Sequence, residues 1–187
     1  MSRLVMWNLI TLDGYFEGAK PWDLDFHNTV WGEELERLSI EQLHGADRLI
    51  FGRATYEGMA AYWQTAEGEG AVADLMNRLP KVVCSRTLEK ADWANTTLVK
   101  GDAAAAVRDL KRQGDGFSFV FGSADLSATL AAADLFDEYR LCVAPVILGS
   151  GRTLFGRGLD TQKLKLLEAR ALSNGGVILR YAPDGRK

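Results

Sequence analysis

A change of rhythm at Leu135 constrains this chain more than any other feature. Before it, short apolar runs alternate with helix-patterned stretches; after it, only strand-like runs remain. The apolar runs predict strands over Leu4–Ile10, Arg48–Phe51, Lys81–Cys84, Thr97–Val99 and Phe117–Phe121. Between them, the patterning predicts helices over about His27–Leu43, Thr55–Tyr62, Ala71–Arg78, Ala103–Gln113 and Ala124–Ala132. In "DAAAAVRDLKRQG", Asp102 can cap the helix start and Gly114 can end it. The closing runs are "FDEYRLCVAPVIL", "LKLLEARAL" and "GGVILRYAP". Alternating β and α followed by strands implies a largely parallel sheet, helices on both faces, and antiparallel strands at one side. No repeat or Pro/Gly/Ser linker divides the 187 residues, so one domain over 1–187 is expected; "AEGEGA" reads as a surface loop.

Composition narrows the partners. A formal net charge of −3 argues against nucleic acid, whose binders carry a basic patch. Cys84 and Cys142 both sit in apolar strand runs, which suits reduced thiols in the cytoplasm. "MSRLVMWNLITLDG" reaches Asn8 and Asp13 without a cleavage pattern and reads as a first strand, not a signal peptide. No apolar run approaches the ~20 residues that span a bilayer, so no membrane partner is expected.

Three strand ends share a chemistry. "LIFGRATYE" runs from a core strand into Gly52, Arg53 and Thr55; "KVVCSRTL" ends in Ser85 and Arg86; "FSFVFGSADL" ends in Gly122, Ser123 and Ala124, with Ser123 or Asp125 able to cap the next helix. In an open parallel sheet, ligands bind outside the carboxyl ends of the strands. Helix N-termini offer unpaired N–H groups, glycine admits close approach, and arginine gives charge-assisted bidentate bonds. Alone, "GRAT" reads as a helix start capped by Thr55 and the other pieces as ordinary turns; together they point to phosphate. Two arginines suit more charge than one pyrophosphate, as in a nucleotide with an extra 2′-phosphate.

Other chemistries lack their residues. "LGSGRTLFGRG" misses the third glycine and the helix of a dinucleotide fingerprint, so a tight crossing loop is expected there. There is no GxxxxGK[ST] loop and no GxSxG elbow, and His27 and His44 have no evident nucleophile partner. The cysteines and histidines show no zinc spacing, so no metal is expected.

These segments carry a resemblance. "ITLDGYFEG", "GRATYE", "VVCSRTL" and "FVFGSADL" are similar to dihydrofolate reductase. "LFDEYRLCVAPVILGSGRTLF" and "LSNGGVILRYAP" resemble the reductase domain of the bifunctional riboflavin-biosynthesis deaminase-reductase and its stand-alone bacterial relatives. The resemblance covers almost the whole chain and implies a three-layer α/β/α fold around a mixed, mostly parallel sheet. It implies NADPH as cofactor and hydride transfer to a pteridine-like or ribosylamino-pyrimidine-like heterocycle. Carried over residue by residue, Gly52, Arg53 and Thr55 hold cofactor phosphate, and Ser85 and Arg86 sit near the adenosine 2′-phosphate. Gly122, Ser123 and Ala124 lie under the pyrophosphate and nicotinamide side, although the family often has Gly-Gly where this chain has Gly122-Ser123. Gly14 joins them at the start of "GYFEGAKPWDLDF", the stretch expected to lie over the nicotinamide as a lid.

Reducing a C=N bond also needs a proton, which a carboxyl group with its pKa raised by desolvation can relay. Dihydrofolate reductases keep such a group on the first helix. Here Trp31, Leu35 and Leu38 form that helix's apolar stripe, Glu33 and Glu36 face away, and Glu34 flanks the stripe. Asp13 is the other candidate, at the end of the first strand, with a turn-forming role before Gly14 equally open. Trp7, Tyr15, Phe16, Trp22 and Trp31 are candidates to stack on a planar substrate. A non-catalytic nucleotide-binding or sensor protein is the alternative. The strand-rich C-terminal half makes a homodimer an expectation on either reading.

Overall fold

The computed structural model describes residues 1–68, 70–156 and 159–185. An eight-stranded sheet forms its centre, in the order β5-β4-β3-β6-β1-β7-β10-β9. These strands are β1 (Arg3–Thr11), β3 (Ala46–Gly52), β4 (Lys81–Cys84), β5 (Thr96–Val99), β6 (Phe117–Phe121), β7 (Glu138–Ala144), β9 (Leu164–Ala171) and β10 (Val177–Pro183). The strands from β5 to β7 all run parallel, while β10 is antiparallel to both β7 and β9. That is the mixed, mostly parallel sheet anticipated from the sequence. A separate two-stranded ribbon pairs β2 (Tyr15–Glu17) with β8 (Arg152–Thr153). Both are too short to leave a periodic signal.

Alternation along each strand builds two cores. Val5, Trp7, Leu49, Phe51, Val83 and Phe119 face one side, under α1 (Glu33–His44), α2 (Arg53–Trp63) and α3 (Gly70–Arg78). Leu4, Met6, Ile50, Val82 and Val120 face the other, under α4 (Ala103–Lys111) and α5 (Ala124–Ala132). The result is the expected three-layer α/β/α arrangement.

The first expected helix is divided. Asp25–Thr29 forms a 3-10 turn, and α1 begins only at Glu33, after an extended Gly32. Glu33, Glu34 and Glu36 crowd its first turn, where carboxylates complement the helix dipole. Trp31 therefore precedes the helix and lies exposed, while Leu35 is buried as expected. Residue 69 of "AEGEGA" and residues 157 and 158 of "LFGRG" lie outside the described residues.

Lys81 is a charge inside this core. Its Nζ donates to the carbonyls of Met76, Asn77 and Leu79 at the end of α3 and lies 4.5 Å from the Trp93 ring centroid. It thus satisfies carbonyls that the helix leaves open, and burial pulls its pKa down to about 8.

The lid stretch folds against α2. Trp22 adopts φ +62°, a left-handed conformation uncommon for a bulky residue, and its N–H donates to Glu17 Oε1 at 2.6 Å. A Cβ on Gly58 would stand 2.4 Å from the Trp22 ring, so the glycine inside α2 makes room for it.

Candidate active site

The carboxyl ends of β5, β4, β3 and β6 are neighbours, and they open onto one cleft of about 590 Å³. Three strand spacings of ~4.8 Å make its length roughly 14 Å. Gly52, Arg53, Thr55, Ser85, Arg86, Ser123 and Ala124 all line it. The three phosphate-suited strand ends therefore converge, as the parallel reading requires.

Local geometry binds two of these ends together. Gly122 takes φ +52°, and a Cβ there would stand 3.0 Å from Thr55 Oγ1. Ser123 also adopts the left-handed region, at φ +55°. Its N–H donates to Thr55 Oγ1 at 2.9 Å, and its Oγ accepts the Gly52 N–H at 2.9 Å while donating to the Phe121 carbonyl. The departure from Gly-Gly is thus accommodated: the serine hydroxyl clamps the end of β6 to the end of β3. Asn8, on β1, accepts the Gly122 N–H at 2.8 Å through Oδ1. Its buried Nδ2 has no partner among the described residues.

Helix capping differs from the sequence expectation. Thr55 is not a cap, because α2 starts at Arg53 with Gly52 as its N-cap residue. Ser123 occupies the N-cap position of α5, but its hydroxyl is taken by the clamp, and Asp125 lies within the first turn. Neither α2 nor α5 has a side-chain cap, so among the described residues their first N–H groups, at the edge of the cleft, lack a capping partner. By contrast, α4 is capped as anticipated, with Asp102 accepting from Ala104 N and Ala105 N.

Charge adds to these donors. Arg53 makes a half-exposed ion pair with Glu57 at 3.3 Å. Arg86 is exposed beside Ser85, whose Oγ accepts the Thr87 and Leu88 N–H groups and so shapes the turn. Lys100 and Arg152 line the cleft as well and were not anticipated. Lys100 was legible: "LVKGDAA" repeats the pattern of strand, glycine and capped helix start. Arg152 was not, because nothing local ties the β8 segment to this edge. Cys84 also lines the cleft, but burial pushes its thiol up to about 11, so it stays protonated at neutral pH. A dinucleotide phosphate chain fits these residues: two uncapped helix starts, a close-packed glycine turn, an unpartnered buried amide beside that turn, and four cations.

Gly122, at the turn beneath the cleft, lies outside that lining, as do Asp13, Gly14 and Glu34. Asp13 accepts the Thr11 hydroxyl at 2.6 Å and the N–H groups of Leu148 and Gly149 at 3.2 and 2.8 Å. The Thr11 bond leads in holding its pKa below the ordinary carboxylate value. Glu34 accepts both the hydroxyl and the N–H of Ser173, and these bonds lower its pKa too. The expectation of a desolvated carboxyl with a raised pKa is therefore not met at either position. Gly14, at φ +87° with open space around it, serves the turn after β1. Of the mouth aromatics, Trp7 and Phe16 are core residues, whereas Trp22 and Trp31 remain exposed. His27 is largely buried, which pulls its pKa down to about 4 and keeps its imidazole neutral.

Among the described residues no group of His, Cys, Asp and Glu side chains can hold a metal, and no helix is long and apolar enough to cross a membrane.

Known proteins are similar to this chain. The uncharacterized protein YyaP of Bacillus subtilis (strain 168) is 27% identical over 186 residues, covering 98% of this chain and 96% of its own length. A putative riboflavin biosynthesis protein from Shewanella sp. PV-4 superposes with a TM-score of 0.78 at 20% identity, covering 97% of this chain and 99% of its own. A dihydrofolate reductase from Enterococcus faecalis, complexed with NADP(H) and RAB-propyl, superposes with a TM-score of 0.62 at 15% identity, covering 97% and 96%. At those identities the two solved structures show the fold. Residues 3–178, which hold every strand end of the cleft, match the family model of the RibD C-terminal domain, and the chain belongs to that family.

Proposed function

We propose that the protein is an NADPH-dependent reductase of a small conjugated heterocycle, pteridine-like or ribosylamino-pyrimidine-like. One observation carries the reading: two helix starts without side-chain caps and four cations, Arg53, Arg86, Lys100 and Arg152, meet in one cleft. In this reading the N–H groups at the starts of α2 and α5 take the pyrophosphate, with Arg53 alongside. Arg86 and Lys100, at the β4 and β5 end, take the 2′-phosphate. The acceptor side in this reading lies next to β1, where Gly122 and Asn8 meet. Bound there, the reduced nicotinamide supplies the hydride. Trp22 and Trp31 offer planar faces to an acceptor, and the lid stretch covers it. Asp13 and Glu34, ionised and engaged by loops, orient the acceptor side, while water brings the proton.

The cofactor half of this reading is tested by Arg53→Ala. Its loss is expected to weaken NADPH binding by about 1.5–3 kcal/mol, the scale of a charge-assisted hydrogen bond, or roughly 10–150-fold. An unchanged dissociation constant removes Arg53 from the site. The catalytic half is tested by NADPH consumption with dihydrofolate and with a ribosylamino-uracil phosphate as acceptors. A second reading, a non-catalytic nucleotide-binding or sensor protein, is favoured by the lowered pKa of both carboxylates. NADPH binding without turnover of any such acceptor selects it.

A further inference from the structure

We infer that Arg152 is a phosphate-binding residue of the cleft, held by Asp125 until an anionic ligand displaces that carboxylate; this rests on the nucleotide-binding reading above. Arg152 reaches the cleft from the β2–β8 ribbon, outside the main sheet, and the chain is built to put it there. Gly151 takes φ +151°, and a Cβ on it would stand 2.4 Å from the Glu17 carbonyl oxygen, so only glycine lets the loop cross β2 this closely. Asp13 fixes the same loop from the other side through the Leu148 and Gly149 N–H groups. Pairing of Glu17 with Arg152 and of Tyr15 with Thr153 then sets the backbone of β8.

From that anchored base the side chain passes over Phe16, its guanidinium 5.8 Å from the ring centroid, and its Nη2 meets Asp125 Oδ2 at 2.9 Å. Asp125 is 95% exposed and the arginine side chain 44%, so the pair is a weak, solvent-screened one. Asp125 occupies the first turn of α5, whose N–H groups otherwise await an anion. A phosphate at that helix start competes with the carboxylate for the same guanidinium and binds it bidentately. Arg152 meets α5, which follows β6, so it stands at the opposite end of the cleft from Lys100 and Arg86. Its ligand is accordingly the pyrophosphate group rather than the ribose phosphate.

Calorimetric titration of the wild type, Arg152→Ala and Asp125→Asn with NADPH and with adenosine 2′-monophosphate tests this. Arg152→Ala is expected to weaken NADPH roughly 10–100-fold, the range of one charge-assisted bond, and to leave the monophosphate unchanged. Asp125→Asn is expected to tighten NADPH by about 2–5-fold by removing the competitor. Unchanged NADPH affinity in Arg152→Ala, or equal losses for both ligands, overturns the inference and assigns Arg152 a merely structural role. A wild type that binds neither ligand overturns the nucleotide-binding reading itself.

Discussion

Replacing Glu138 by alanine is expected to destabilise the protein by about 3–5 kcal/mol, the cost of removing one partner from a buried ion pair. Glu138 is fully buried at the start of β7. Its carboxylate accepts Arg140 Nε and Arg180 Nε, each at 2.6 Å, and Arg3 Nη2 at 3.2 Å. Arg140 is itself buried, packed on the Phe117 and Phe119 rings and bonded to Gln42 of α1, so it has no route to water when Glu138 is lost. Glu138→Gln keeps an acceptor and the shape, and its loss is expected to be smaller. The pH dependence follows from the direction of the shift. Burial pushes the carboxyl up, but the bonds and charges of Arg140 and Arg180 outweigh it and hold it below its ordinary 4.5. A depressed carboxyl stabilises the fold above the unfolded-state value, and that contribution disappears as pH falls through the folded-state value. Urea unfolding of wild type and Glu138→Ala should therefore differ most at neutral pH and less at acid pH, as the pH falls through the folded-state value. Equal differences at both pH values would contradict the charge network as the source of the effect.

Valine in place of Gly122 is expected to carry the second large effect, on binding more than on the fold. The left-handed conformation at φ +52° costs an L residue about 1–2 kcal/mol. The new side chain also meets Thr55, whose Oγ1 and Cγ2 stand 3.0 and 3.1 Å from the Cβ position. Thr55 Oγ1 is the acceptor for Ser123 N–H, so pushing it aside opens the clamp between β3 and β6. Displacing the α5 start is expected to weaken NADPH roughly 10–150-fold, the worth of one charge-assisted contact to phosphate. Circular dichroism establishes whether the variant is folded, and titration of the folded variant reads the loss. Wild-type affinity in folded Gly122→Val would mean that this turn does not shape the site.

How much of this was legible in the sequence depends on the range of the interaction. The strands of the parallel sheet and the two-sided helix layers follow from local periodicity, and β4 spans the residues the sequence predicts. The convergence of "GRAT", "CSRT" and "GSAD" followed from strand direction alone, since parallel strands put their carboxyl ends on one edge. Lys100 obeys the same grammar, since "LVKGDAA" runs from a strand through Lys100 and Gly101 into a capped helix. Contacts between distant segments were not legible. Thr55 reads locally as a helix cap, yet its oxygen serves Ser123 across the cleft. Asp13 reads as a turn former or an acid, and nothing local shows that it also ties down the loop at Leu148 and Gly149. The helix expected from His27 fails because Gly32 is extended at the point where the chain turns into α1. Glu138, Arg140 and Arg180 are scattered charges in the sequence, and only strand pairing gathers them.

Selection of a 2′-phosphorylated dinucleotide by this cleft is read by titrating the protein with NADPH and separately with NADH. Quenching or enhancement of the reduced nicotinamide fluorescence reads both. The account predicts saturable NADPH binding and NADH binding weaker by roughly 10-fold or more, the worth of one charged contact to the extra phosphate. Equal affinities would contradict the role of Arg86 and Lys100, and no binding of either would contradict the reductase reading.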